Sequence, residues 1–122
     1  MAQRRCADTT AEDVARWYAA GVELIRRGEF FAAHEELELA WRAADDEERD
    51  FFQGLVHVAV AWYQAGRGNE GGCARQLEKA ARRLTPFAPA HRHLDLASVL
   101  DQVRAARAIV ARGSLSLPPP RV

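Results

Sequence analysis

From Phe51 to Gly66 the chain contains no Asp, Glu, Lys or Arg, while charged residues crowd both flanks. A helix that is apolar nearly all round belongs in an interior, with other helices against it. The stretch is too short, and too often interrupted by Gln53, His57 and Gln64, to cross a membrane, which takes roughly 18 apolar residues or more. It predicts the central helix of a small bundle. Ahead of it, Val14, Trp17, Tyr18, Gly21, Val22 and Ile25 recur at three and four, the stripe of a first helix. Two overlapping capping boxes, Thr9 with Glu12 and Thr10 with Asp13, start that helix, and Gly28 ends it. A second helix runs from about Glu29 to Ala44 on the stripe Phe30, Ala33, Leu37, Ala40 and Trp41, with His34 on its edge. The acids Asp45 to Glu48 then suit the positive N-terminus of the central helix.

Beyond it, Gly66-Arg67-Gly68-Asn69 breaks the chain, and Asn69 is the expected N-cap of a fourth helix reaching Leu84. That helix should bury Cys73, Leu77 and Leu84. Thr85 to Pro89 reads as a stiff connector, because the residue before each proline is pushed away from helix. A fifth helix spans about Asp95 to Arg112, with Gly113 as its cap. No strand is predicted. The fold class is all-α: one domain over residues 1–113, a bundle of about five helices whose hairpins pack around a buried central helix. Residues 114–122 form a Pro-rich flexible tail, and without a P-x-x-P spacing it is expected to recognise nothing. The hairpins also echo one another: Gly28, Ala33, Leu37-Glu38 and Ala40 line up with Gly68, Cys73, Leu77-Glu78 and Ala80. Stacked helical hairpins produce such spacing, but small and Leu residues recur at helical spacing in any bundle, and that plainer reading is preferred.

Length and composition sharpen this picture in two places. A chain of 122 residues is one domain by size and buries roughly two thirds of its unfolded surface without needing staples. Cys6 and Cys73 form no C-x-x-C pair, which argues against a disulfide framework or a zinc knuckle. With no apolar stretch behind the first basic residues, the expected compartment is the cytoplasm, with no membrane association. Net charge is zero, so nucleic acid is not an expected partner. The charge is unevenly spread, however. Residues 28–50 hold nine acids against Arg42 and Arg49, and residues 67–122 hold ten bases against four acids. Opposite faces of this kind suit a homodimer, or an unidentified protein partner.

The candidate chemistry lies in the polar residues of apolar helices. At about 100° per residue, Gln53, His57 and Gln64 share one stripe of the central helix, beside the small residues Gly54, Ala61 and Ala65. On the second helix His34 and Glu38 are one turn apart. An antiparallel hairpin turning near Asp46 sets His34 level with His57 and Glu38 level with Gln53. His34, Glu38 and His57, with Glu35 nearby, are ligand types that helix bundles use for divalent metals. The competing reading is a hydrogen-bond network that fixes helix register, and it is preferred, so no cofactor is expected. Trp17, Trp41 and Trp62 are expected in the core.

Gly28-Glu29-Phe30-Phe31-Ala32-Ala33-His34-Glu35-Glu36-Leu37-Glu38, Trp41 and Phe51-Phe52-Gln53-Gly54-Leu55 together resemble a bacterial and archaeal family known as domain of unknown function 309. Its pattern is F-[FY]-x-A-H-E-x-x-E-x-x-W followed by Q-G-[LI]. The resemblance implies an all-helical domain of about five helices, lends no activity or cofactor, and makes His34, Glu35, Glu38, Trp41, Gln53 and Gly54 motif positions. Where the family often has glutamine, this chain has His57. Three classes of function follow. The favoured one is a non-catalytic interaction or self-association module with a buried His/Glu/Gln cluster. The alternative is a metal-binding protein or metal-dependent enzyme, a hydrolase among the options, using His34, Glu38 and His57. A nucleic-acid accessory role rests on Arg75, Lys79, Arg82 and Arg83 alone and is the weakest.

Overall fold

A computed structural model describes residues 10–122. The chain forms α1 (Ala11–Arg26), α2 (Phe30–Ala43), α3 (Asp46–Gly66), α4 (Glu70–Leu84) and α5 (Leu96–Ala111). A single 3₁₀ turn (Thr85–Phe87) and two short strands, β1 (Ala90–His91) and β2 (Leu94–Asp95), link α4 to α5. It is an all-α single-domain bundle in which consecutive helices pack on one another. The Thr10–Asp13 capping box is present, with reciprocal bonds of 3.1 Å. The alternative box at Thr9, and Cys6, lie outside the described residues.

The absence of strands needs a small correction. β1 and β2 pair antiparallel, Ala90 with Asp95 and His91 with Leu94, around Arg92 and His93. Both turn residues have positive φ, 49° and 64°. That geometry suits a two-residue hairpin, but its usual Asn-Gly or Asp-Gly signature is missing. Neither residue type announces the turn, which is why periodicity could not find it.

α3 is the centre of the core. Phe51, Phe52, Leu55, Ala59 and Ala61 are fully buried, and Val58 and Trp62 nearly so. It is not covered on every side, as an apolar run would suggest. Gln53, His57, Val60 and Gln64 form a half-buried stripe along it, so Val60 is not core. Gly54 is buried against α4. A Cβ there would lie 2.6 Å from Leu84 Cγ and Cδ2, so any larger residue forces the helices apart.

The repeat is visible as structure. α1–α2 and α3–α4 are hairpins closed by the same turn. Gly28 and Gly68 have φ of 77° and 76°. Gly28 N–H bonds Ile25 O and Glu29 N–H bonds Leu24 O; Gly68 N–H bonds Ala65 O and Asn69 N–H bonds Gln64 O. Both are glycine-terminated helix ends that satisfy the last free carbonyls. Past the turn, Ala33 and Cys73, Leu37 and Leu77, and Ala40 and Ala80 are all fully buried.

Residues 114–122 run over the bundle without regular secondary structure, with Leu115, Leu117 and Val122 against its core. Trp62 Nε1–H donates to Pro118 O at 2.9 Å. Among the described residues, no helix is long and apolar enough to cross a membrane.

Candidate functional site

The turn at Gly28 sets the start of α2 beside the end of α3, and an aromatic cleft results. Phe30, Phe31 and His34 come from α2, and Val60, Tyr63 and Gln64 from α3. They enclose a hollow of about 220 Å³. A shallower one of about 690 Å³ adjoins it, sharing Phe30, Phe31 and Tyr63 and adding Gly28, Glu29, Trp62 and Arg67. Phe31 is 51% exposed at the rim, a large apolar side chain left in water. Its ring lies 4.8 Å from that of His34 and 5.3 Å from that of Tyr63. Arg67 stacks on Tyr63 at 5.5 Å and donates to its hydroxyl at 3.1 Å.

The polar groups of the cleft are fixed by their neighbours. His34 Nδ1 lies 2.7 Å from Phe31 O, and a carbonyl only accepts, so the neutral ring carries its proton on Nδ1. In that tautomer Nε2 is the acceptor. Gln64 Oε1 accepts from Asn69 Nδ2 at 3.1 Å, while Asn69 Oδ1 caps α4 through Gly72 N–H at 2.9 Å. Within the described residues nothing bonds the Gln64 Nε2 amide. An acceptor on α2 and a donor on α3 thus line one apolar-walled cleft.

The expected convergence of His34, Glu38, Gln53 and His57 does not occur as a bonded cluster. Among the described residues no hydrogen bond joins any two of them. His57 turns to α4, where Nδ1–H donates to Gln76 Oε1 at 2.7 Å. Burial, with Arg83, Lys79 and Arg82 nearby, holds the His57 imidazole below its ordinary value, which favours the neutral ring. Its Nε2 is buried with no hydrogen-bond partner among the described residues. Glu38 approaches Arg42, one turn along its own helix, at 3.9 Å. Glu35 is exposed, and Gln53 is half-buried on the open stripe. Trp41 is also half-buried, with the Arg49 guanidinium 5.8 Å from its ring. Among the described residues no group of three or more His, Cys, Asp or Glu side chains is gathered as a metal needs, so His34, Glu38 and His57 do not form such a set. A register set by α2 and α3 alone leaves α4 out. α4 competes for the same stripe of α3 and takes His57.

One cluster escaped the sequence reading. Glu48, in the first turn of α3, receives both Nε and Nη2 of Arg92 at 2.7 Å. His91 Nε2 lies 2.8 Å from the same carboxylate. The Arg92 guanidinium, aided by His91, lowers the Glu48 carboxyl to about 2. Arg92 also sits over Phe52 at 5.1 Å and Tyr18 at 5.8 Å, and Tyr18 OH donates to Arg92 O at 3.1 Å. This clamp ties the α4–α5 connection to α1 and α3. No local motif could reveal it, because its partners are 44 and 74 residues apart.

Fold and cleft together define the class: a helical-hairpin domain with an aromatic cleft beside its first turn. The family model described as Domain of unknown function (DUF309) matches residues 18–76, which bears out the resemblance over that segment. The matched segment takes in the cleft and the second glycine turn. No curated protein and no solved structure matches the chain.

Proposed function

We propose that the protein is a non-catalytic interaction module whose contact site is the cleft between α2 and α3. The supporting observation is the pairing of the free His34 Nε2 acceptor with the Gln64 amide donor between walls of Phe30, Phe31, Val60 and Tyr63. An amide group has a donor and an acceptor side by side, so a peptide segment satisfies both while its side chain fills the apolar hollow. The exposed Phe31 is the anchor on the protein's side, since aromatic residues carry much of the energy of such contacts. The occupant is a peptide segment of a partner protein or of a second copy.

The reading is tested with N-acetyl-phenylalaninamide as the probe, followed by NMR. Saturable shifts confined to His34, Val60, Tyr63 and Gln64 are expected. His34→Ala and Phe31→Ala should each weaken binding about tenfold, the equivalent of roughly 1.4 kcal/mol. Shifts spread evenly over the surface, or untouched by both variants, refute it.

A further inference from the structure

The segment 114–122 is held as a ligand is held. Four side-chain hydrogen bonds from three different helices reach its backbone. Trp62 Nε1–H of α3 donates to Pro118 O at 2.9 Å. Gln102 of α5 brackets Arg121, donating Nε2–H to its carbonyl at 2.8 Å and accepting its N–H at 2.6 Å. Arg26 of α1 donates Nε–H to Val122 O at 3.0 Å. Between these points Leu115, Leu117, Pro120 and Val122 are half-buried, while Ser116, Pro118 and Pro119 face outward.

Reading a proline-rich segment by an indole N–H on its carbonyl and apolar contacts between is how aromatic grooves take such peptides. Their φ angles are already fixed, so little entropy is lost on docking. The segment's backbone bond to a helix is at its first residue, Ser114 N–H to Ile109 O of α5; among the described residues none follows from Leu115 on, and Gly113, at φ 88°, turns the chain out of α5. Everything that holds residues 118–122 is therefore side-chain recognition that a separate peptide of the same chemistry can use.

We infer that the surface shared by α1, α3 and α5 is a receptor groove for proline-rich segments, occupied here by residues 114–122 of the chain itself. An incoming segment of this chemistry competes with the resident one. A tethered ligand acts at an effective concentration of about millimolar, so the resident segment wins unless it is loosened. This groove does not depend on the α2–α3 cleft. The two meet only at Trp62, whose ring lines the larger hollow and whose N–H serves the segment.

The test uses the full chain with Pro118, Pro119 and Pro120 all replaced by glycine, which removes the fixed φ angles of the resident segment without touching the groove. The melting curve checks that the bundle stays folded. A synthetic peptide of residues 114–122 is titrated in, with the Trp62 indole N–H signal as the readout. Binding at one peptide per chain, at least tenfold tighter than to the unaltered chain, is expected. Adding Trp62→Phe, which keeps a ring but loses the donor, should weaken it about fivefold or more, read in that variant from the Gln102 side-chain amide signal. His34→Ala, which disables the cleft, should leave it unchanged. Two results overturn the inference: a triple-glycine chain whose own segment stays docked, or a released segment with no saturable peptide binding at millimolar concentration.

Discussion

The two helical hairpins share a turn and a core but not a chemistry. In α1–α2 the turn passes to Glu29, whose side chain makes no capping bond, and the outer face of α2 is acidic. In α3–α4 the same place is Asn69, which caps α4 and holds Gln64. Trp17 and Glu36 of the first hairpin correspond to His57 and Gln76 of the second, which bond to each other. The close approach differs as well. Gly21 admits Leu37 where a Cβ would collide with its Cγ, while the equivalent of Gly21 in the second hairpin is a buried Ala61. A repeat thus fixes the positions that bury and turn, and leaves the others free to acquire different roles. The cleft uses that freedom, drawing one wall from each hairpin.

The sharpest way to break this comparison is at the paired leucines. Leu37→Ala and Leu77→Ala should each cost about 2–5 kcal/mol, measured by denaturant unfolding, because both are fully buried. A loss confined to one of them would show that the hairpins are not equivalent in the core. Next in size is Gly21→Ala, expected to cost about 1–3 kcal/mol by overpacking against Leu37. If melting is unchanged, the two hairpins cross at the same distance after all. Smaller again is the cap. Asn69→Ala should lose about 1 kcal/mol, and Glu29→Ala almost nothing, since only Asn69 makes a capping bond.

The smallest effects are those of pH, and they should be lopsided. Glu48 has a folded value of about 2, below its ordinary 4.5, so its contribution is present above 4.5 and fades as pH falls towards 2. His57 is held below its ordinary 6.5, so the unfolded chain binds its proton first and stability falls as pH drops below 6.5. Both groups belong to α3. Hydrogen exchange resolved by helix should therefore show α3–α4 loosening on acidification ahead of α1–α2. Glu48→Gln should flatten the lower part of that response and His57→Gln the upper part. Equal loosening of both hairpins would remove the asymmetry.

Much of the fold is legible in the amino-acid sequence. The charge-free run at Phe51–Gly66, the glycines at 28 and 68 and the stripes of three and four are local signals, and helices are local structures. Five helices and a single bundle follow from them, as does the repeat at Ala33/Cys73 and Leu37/Leu77. The identities of His34 and Gln64 also stood out as polar residues on apolar helices. Their partners did not. A two-helix register sets His57 level with His34, whereas the contact that decides its place comes from Gln76 on a third helix. Glu48, Arg92 and Tyr18 meet across the chain through a hairpin at Arg92–His93 that no turn residue marks. The hold of Trp62, Gln102 and Arg26 on residues 118–122 is likewise assembled from three helices. Periodicity says which face of a helix is apolar; which neighbour covers that face, and which polar group meets it there, is set only when all the helices compete for the same space.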